Sequence, residues 1–389
     1  NGDNDTFPLW YNQETEGVRT DARVCNLSYL QTDWYIDQMR RPAYDSPSLP
    51  ISWTRLQYVT GTREGIPVQP DALQQVIDYY KDSPEDLKQM LGDNPYELKN
   101  IIRHWVLNDN PDLQIFPTDS IVVTVDKEAV KRSGMMIAAD SIPDVMHISL
   151  KGKRAVYKSE MMMLEMISQA NWERPLYMST TVGPDNYGHL GDNFVQEGLA
   201  CRITPFDTKQ SGRTIDSERM YNNMMNKFKY GGLKENPDIY LDETVIRMCY
   251  THRRLFNQLA QQLLKEGQKD KALKVLQRAE EEIPGSIVPH EAFYGHSLEL
   301  ADAWLALGHK AEAEKLLNAV GQNAREYIEW YLSLNTQRLL QSSRECLMQI
   351  YILNDIAKTW EPIDKKKAET YRMEVNNYAS RCHQRGMSL

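Results

Sequence analysis

The chain has 389 residues, 41% hydrophobic and 25% charged, with a formal net charge of −9. That is ordinary globular composition, with room for two or three domains of about 100–200 residues. No run approaches the roughly 18 apolar residues of a membrane span, and the acidic balance, with no basic stripe interleaved with aromatics, excludes a general nucleic-acid binder. Taken in order, the chain opens on Asn1-Gly2-Asp3-Asn4-Asp5-Thr6-Phe7-Pro8-Leu9-Trp10-Tyr11, an acidic, amide-rich loop. Asp5 or Thr6 can cap a helix over 7–19, with Pro8 in its first turn. Residues 22–30 carry apolar and β-forming side chains and read as a strand. Thr32 or Asp33 then caps a helix bearing Trp34, Tyr35, Ile36 and Met39. The opening lacks an initiator Met and a leader, so a fragment of a longer protein is expected.

Residues 44–50 are rich in turn formers and predict a surface connection. Short helices broken by prolines follow over 61–110, opened at Pro70, Pro84 and Pro95. Ile121-Val122-Val123-Thr124-Val125 is the strongest strand and is expected at the centre of a sheet. A second strand over 145–150 ends at the turn Lys151-Gly152-Lys153-Arg154. A helix over 159–169 carries methionines as core filler, and 176–182 reads as another strand. Strand, helix and strand in this order predict a βαβ crossover, hence a mixed, partly parallel sheet with flanking helices over 1–208. The glycine- and amide-rich loop 183–193 is of a kind that carries function, and 196–203 reads as one further strand. Residues 209–241 have weak periodicity and read as the linker.

From 242 to 389 there is no strand candidate, and a 3.6-residue period runs to the end. Phe256, Leu259, Ala260, Leu263, Gly267, Ala272, Leu276, Ala279 and Pro284 fall at the spacing of a tetratricopeptide repeat. Leu300, Ala301, Trp304, Gly308, Ala313 and Leu317 repeat those offsets 41 residues later, the extra residues lying in 285–293. Helices over 324–341, 343–359 and 364–384 extend the array as capping units. Such stacks bind protein or peptide, while a purely structural helical bundle is the alternative.

Five cysteines, Cys25, Cys201, Cys249, Cys346 and Cys382, lie far apart without CxxC or zinc-type spacing and read as single buried thiols. Asp3-Asn4-Asp5 has the form of an acid-x-acid loop, suited to a hard cation, but helix capping explains Asp5 without one, and no metal site is assigned. Glu14, Glu16 and Asp33 are candidates for acid/base work or, more simply, solvated helix residues. The eight histidines show no HExxH, and GxSxG, GxGxxG and P-loop motifs are absent, so hydrolase, dinucleotide and kinase readings lack their minimum. Asp119-Ser120-Ile121 and Asp140-Ser141-Ile142 have the form of short acceptor tripeptides of bacterial O-glycosylation.

The opening decapeptide from Gly2 to Tyr11, Val24 to Leu30 with Thr32-Asp33-Trp34-Tyr35, Asn171-Trp172-Glu173-Arg174-Pro175-Leu176-Tyr177 and Gln196-Glu197-Gly198-Leu199 resemble the water-facing C-terminal part of a bacterial multi-spanning membrane-protein family related to protein O-mannosyltransferases and other GT-C glycosyltransferases. The resemblance covers about 1–206 and implies a membrane-embedded N-terminal part of the same protein that uses a polyprenyl-phosphate-linked sugar donor. The present chain would lie on the periplasmic side of the inner membrane, inactive alone and with no cofactor of its own. No catalytic residue is assigned. Asp3, Asn4, Asp5, Trp10, Tyr11, Asp33, Trp34, Trp172 and Arg174 are the candidate substrate contacts, because sugars stack apolar faces on Trp and Tyr and bond hydroxyls to Asp and Asn. The helical half is expected to hold a protein or peptide acceptor. The alternatives are a non-catalytic repeat scaffold in the cell envelope and a self-contained metal-dependent glycosyltransferase.

Overall fold

The computed structural model describes residues 2–135 and 141–387 and divides into two compact units, 1–216 and 217–389. No helix among the described residues is long and apolar enough to cross a membrane.

The first unit is mixed α/β with small sheets. Its helices are α1 (Asp3–Glu14), α2 (Asp33–Met39), α3 (Arg55–Tyr58), α4 (Ala72–Tyr79), α5 (Pro84–Leu91), α6 (Leu98–Ile101), α7 (Lys127–Arg132), α8 (Lys158–Ala170) and α9 (Thr208–Ser211). Its strands are β1 (Gly65–Pro67), β2 (Ser120–Thr124), β3 (Val145–Ser149), β4 (Ala155–Tyr157), β5 (Tyr177–Ser179), β6 (Phe194–Gln196) and β7 (Ala200–Ile203). Helix α8 is the axis of the unit. Met161, Met162, Met163, Leu164, Glu165, Met166 and Ile167 are all buried, and a helix covered on every side belongs in a core. Asn171 ends it in the left-handed region at φ 48.

The expected parallel crossover does not form. The strands either side of α8 enter different sheets: β4 pairs antiparallel with β1, and β5 with β7 in the order β5-β7-β6. Among the described residues parallel pairing is confined to single bridges at Val68↔Phe116, Glu97↔Val122 and Gln196↔Ile215. Nor is β2 central, since β3 flanks one side and the other carries only the Glu97 bridge. There the Glu97 carboxylate accepts from the Thr124 N–H at 3.0 Å and hydroxyl at 2.6 Å. β-Branching favours extended backbone but says nothing of how many neighbours a strand finds. The expected strand over 196–203 is a hairpin instead, turned at Gly198 with φ 138.

The predicted strand over 22–30 is irregular because Asn26 takes the backbone for itself. Its Oδ1 accepts from the Ser28 N–H at 2.9 Å, its Nδ2 donates to the Thr6 hydroxyl at 2.9 Å, and its own N–H meets the Tyr35 hydroxyl at 2.8 Å. These local bonds replace a ladder. Helix α1 starts four residues before the expected position, at Asp3, with Gly2 as an extended N-cap. Asp3 and Asp5 complement the positive end of its dipole, and Pro8 lies inside it. Gly17, at φ 64, ends the prospect of helix to residue 19.

Among the described residues the second unit has helices and no strand: α10 (Ser217–Asn222), α11 (Glu243–Lys265), α12 (Lys269–Glu282), α13 (Ser297–Ala306), α14 (Lys310–Ser333), α15 (Thr336–Gln341), α16 (Ser343–Trp360) and α17 (Lys365–Gln384). The hairpins α11/α12 and α13/α14 turn alike. Gly267 and Gly308, at φ 75 and 84, each donate an N–H to a carbonyl three residues back, to Leu264 at 3.0 Å and Leu305 at 2.9 Å. The helix expected from 324 is the second half of α14, which runs unbroken to Ser333. Arg325–Glu374 at 2.9 Å and Arg381–Glu329 at 2.7 Å tie α14 to α17. All five cysteines are free thiols; Cys25, Cys201 and Cys249 are half-buried rather than buried, and the buried Cys346 and Cys382 place their Sγ atoms 3.9 Å apart between α16 and α17.

A titration is built into this unit at His290. Its ring is buried with Nε2 3.3 Å from Glu280 Oε2 and Nδ1 3.4 Å from Ser297 Oγ, and a Cβ on Gly285 would overlap it. Burial pushes the imidazole below its ordinary value, and the charges of Arg253 and Lys315 act in the same direction against the pull of Glu280. The folded chain therefore holds a neutral ring where the unfolded chain takes a proton, so below about pH 6.5 the unfolded state binds more protons and stability falls with pH. The urea midpoint of the helical unit is expected to drop on acidification from about pH 7.5 to 5.5, and less steeply in His290→Gln. An unchanged slope in that variant would remove His290 from the account.

Candidate functional site

Five of the nine residues singled out in the sequence lie on α1. The expected acid-x-acid loop is its first turn, and there Asp3 and Asp5 diverge, since positions two apart on a helix project about 200° apart. Asp3 Oδ1 accepts from the Tyr29 hydroxyl at 2.9 Å, and Asp5 Oδ2 from the Thr181 hydroxyl at 2.8 Å. The two carboxylates anchor α1 to separate segments rather than converge. Among the described residues no group of His, Cys, Asp or Glu is arranged to hold a metal ion. Asn4 is exposed.

Phe7, Trp10 and Tyr11 follow at the i, i+3, i+4 spacing that places side chains on one helix face. Trp10 is half-buried against the core and meets Phe7 at 5.8 Å between ring centroids. Phe7 is 50% exposed and Tyr11 58%. The Tyr11 hydroxyl donates to Glu16 at 3.3 Å, and Tyr44 bonds to Glu14 one turn on. Trp34, 53% exposed, packs on Tyr29 at 5.8 Å and Tyr35 at 5.4 Å. Because Tyr29 also holds Asp3, the structure joins the start of α1 to Trp34 through one tyrosine. The outcome is an aromatic lip on a braced helix.

The other three residues do different work. Asp33 faces Thr60, whose N–H is 3.4 Å away, and Arg55 at 3.7 Å. The Thr60 hydrogen bond, aided by the Arg55 charge, holds its carboxyl below the usual range. Trp172 is 7% exposed, sits at φ 60 and donates its indole N–H to the Thr124 carbonyl at 2.9 Å. It pins β2 to the end of α8 and offers no face to a sugar. Arg174 donates to the carbonyls of Pro47 at 3.2 Å and Ser48 at 3.0 Å and to Ser46 Oγ at 2.9 Å, so it fastens the 44–50 connection. Of the acceptor-like tripeptides, Ser120 is tied into β2 opposite Ser149, and Asp140 lies outside the described residues.

A wide concavity of this unit involves none of the nine. An open cleft of about 1270 Å³ lies between β3, the turn at Gly152 and the 183–193 loop, with His147, Lys151, Asp185, His189 and Asp207 on its walls. His189 sits in the left-handed region at φ 64, and burial followed by the nearby Lys153 charge pushes its imidazole below the ordinary value. Glycines and amides in the loop signalled it in the sequence. Its pairing with β3 across some forty residues had no local signal.

Residues 1–223 match the family model described as TMEM260-associated domain 2. No curated protein and no solved structure matches the chain.

Proposed function

The chain belongs to the TMEM260-associated domain 2 family, and from that premise we propose that it is the water-facing accessory region of a membrane glycosyltransferase that moves a lipid-linked sugar to a protein acceptor. In this reading the chain lies on the periplasmic side of a bacterial inner membrane and works beside a membrane-embedded part of the same protein. That part supplies the chemistry and binds the polyprenyl-phosphate donor. The observation that carries the reading is the aromatic lip. Phe7, Tyr11 and Trp34 are each about half exposed on segments braced by Asp3–Tyr29 and Asp5–Thr181. Rigid half-exposed aromatics bind sugars and peptides at low entropic cost. The resemblance of residues 1–206 to a family related to protein O-mannosyltransferases supports the same assignment.

The test is sugar transfer in membranes carrying the whole protein. Phe7→Ala/Tyr11→Ala/Trp34→Ala is expected to lower transfer roughly tenfold or more, while the melting temperature of the chain changes little because these rings are surface groups. Undiminished transfer would sink the lip as a contact surface. A tetratricopeptide-like scaffold is the second reading, favoured by the exposed Tyr327, Trp330 and Tyr351 of the helical unit. It predicts that peptides titrate onto that unit while the lip variants are silent.

A further inference from the structure

A second cavity of the first unit, about 490 Å³, opens beside the irregular 19–27 segment. That volume is in the range of small-ligand pockets. Its floor is apolar: Met163, Met166 and Ile167 from α8, Met178 from β5, Leu190 from the 183–193 loop and Ile203 from β7. Methionine is the side chain that best moulds itself to an irregular apolar guest.

The mouth is cationic. Arg19, Arg23 and Arg174 line it, but Arg19 is neutralised by a two-point contact with Asp21 at 2.7 and 2.9 Å. Arg23 and Arg174 have no such partner. Arg23 donates only to the Gln38 carbonyl at 2.7 Å, and Arg174 bonds to two carbonyls and a hydroxyl. Among the described residues no carboxylate lies within ion-pair distance of either. They also repel each other: burial, then the Arg23 charge, pushes the Arg174 guanidinium below its ordinary value. Two uncompensated like charges at the rim of an apolar chamber are unfavourable in the free protein, and an anion with a greasy tail relieves both halves of the problem.

We infer that this cavity is a binding site for an anionic amphiphile, a single alkyl chain bearing a phosphate, with the chain on the methionine floor and the phosphate between Arg23 and Arg174. Guanidinium suits the group, because its planar donors match phosphate oxygens. The inference rests on the cavity alone, so its failure leaves the lip reading standing.

Decyl phosphate, decanol and inorganic phosphate are the probes, each below its aggregation limit, followed by calorimetry and by the methyl resonances of Met163, Met166 and Met178 in the methionine-labelled chain. Decyl phosphate is expected to bind one per chain and shift those methyls, decanol to bind at least roughly tenfold more weakly, and inorganic phosphate to leave the methyls in place. Arg23→Gln, which keeps a donor for Gln38, should weaken decyl phosphate roughly tenfold, and Val182→Phe should weaken it by narrowing the chamber. Equal binding of decanol and decyl phosphate overturns the cationic half. Equal binding of inorganic phosphate, or unmoved methyls, overturns the apolar half. Should a variant not fold, the three probes on the unaltered chain decide by themselves.

Discussion

Arg253→Met is expected to lower the unfolding free energy of the helical unit by about 3–5 kcal/mol. Arg253 is 1% exposed on α11. It donates Nη1 to the Pro289 carbonyl at 3.0 Å and Nη2 to those of Ile283 at 3.0 Å and Val288 at 2.7 Å. Those carbonyls belong to the connection between α12 and α13, which is longer than the turns at Gly267 and Gly308. The connection has few backbone bonds of its own, from the Ile287 and Val288 N–H groups to the Pro284 carbonyl, and one guanidinium takes up three of its other carbonyls. Methionine keeps the volume of the stem but strands the buried Ile283 and Val288 carbonyls, each worth about 1–3 kcal/mol, and the part-buried one of Pro289. Removing a desolvated cation returns part of that, since burial already pushes Arg253 below its ordinary value. The loss still dominates because carbonyls fixed by the chain cannot re-pair. Lysine should fall between, as a point charge that cannot fork. Urea unfolding gives the total, and hydrogen exchange locates it in 283–297. A change under about 1 kcal/mol would show that water replaces the arginine without loss.

Glu165→Ala should cost about 2–4 kcal/mol in the first unit, and Glu165→Gln much less. Glu165 is 0% exposed in α8. Its Oε1 accepts from the Ser52 N–H at 2.8 Å and hydroxyl at 2.6 Å, and Ser168 Oγ stands 3.5 Å from Oε2. Leu49, Ile51 and Trp53 are buried at alternate positions, so the 49–53 stretch is extended in pattern but belongs to no strand. Glu165 stands in for the missing ladder. Alanine leaves the Ser52 amide unpaired and a hole in the core, whereas glutamine keeps one oxygen able to accept both Ser52 donors. The expected order of urea midpoints is native, then Gln, then Ala, with faster exchange of the Ser52 amide in the last. Glutamine as damaging as alanine would mean that charge, not the acceptor, holds the segment.

Both residues show where a linear reading stops. A glutamate in a methionine-rich helix and an arginine on an amphipathic one look like solvated charges, because the Ser52 and Ile283 groups that claim them are set by packing. The same holds at the lip. Trp10, Tyr11 and Trp34 were recognisable as aromatics beside turn formers, and the structure leaves them at least partly open. Trp172 and Arg174 carry the same chemistry in the sequence and prove to be an anchor for Thr124 and a clasp for 46–48.

What the sequence determined by itself is local. The helix over 33–39, the prolines at the heads of short helices, the β-branched run at 121–125 and the apolar period after 242 each follow from side chains acting on their own backbone or on neighbours three or four positions away. Only the tertiary structure decided which strands pair, where α1 begins, that Asn26 displaces a strand, that Cys346 meets Cys382, and that Arg23 and Arg174 face an apolar cavity without a carboxylate. Those outcomes depend on groups up to about 150 residues apart, whose proximity is fixed by the shape of the shared core rather than by any period or propensity along the chain.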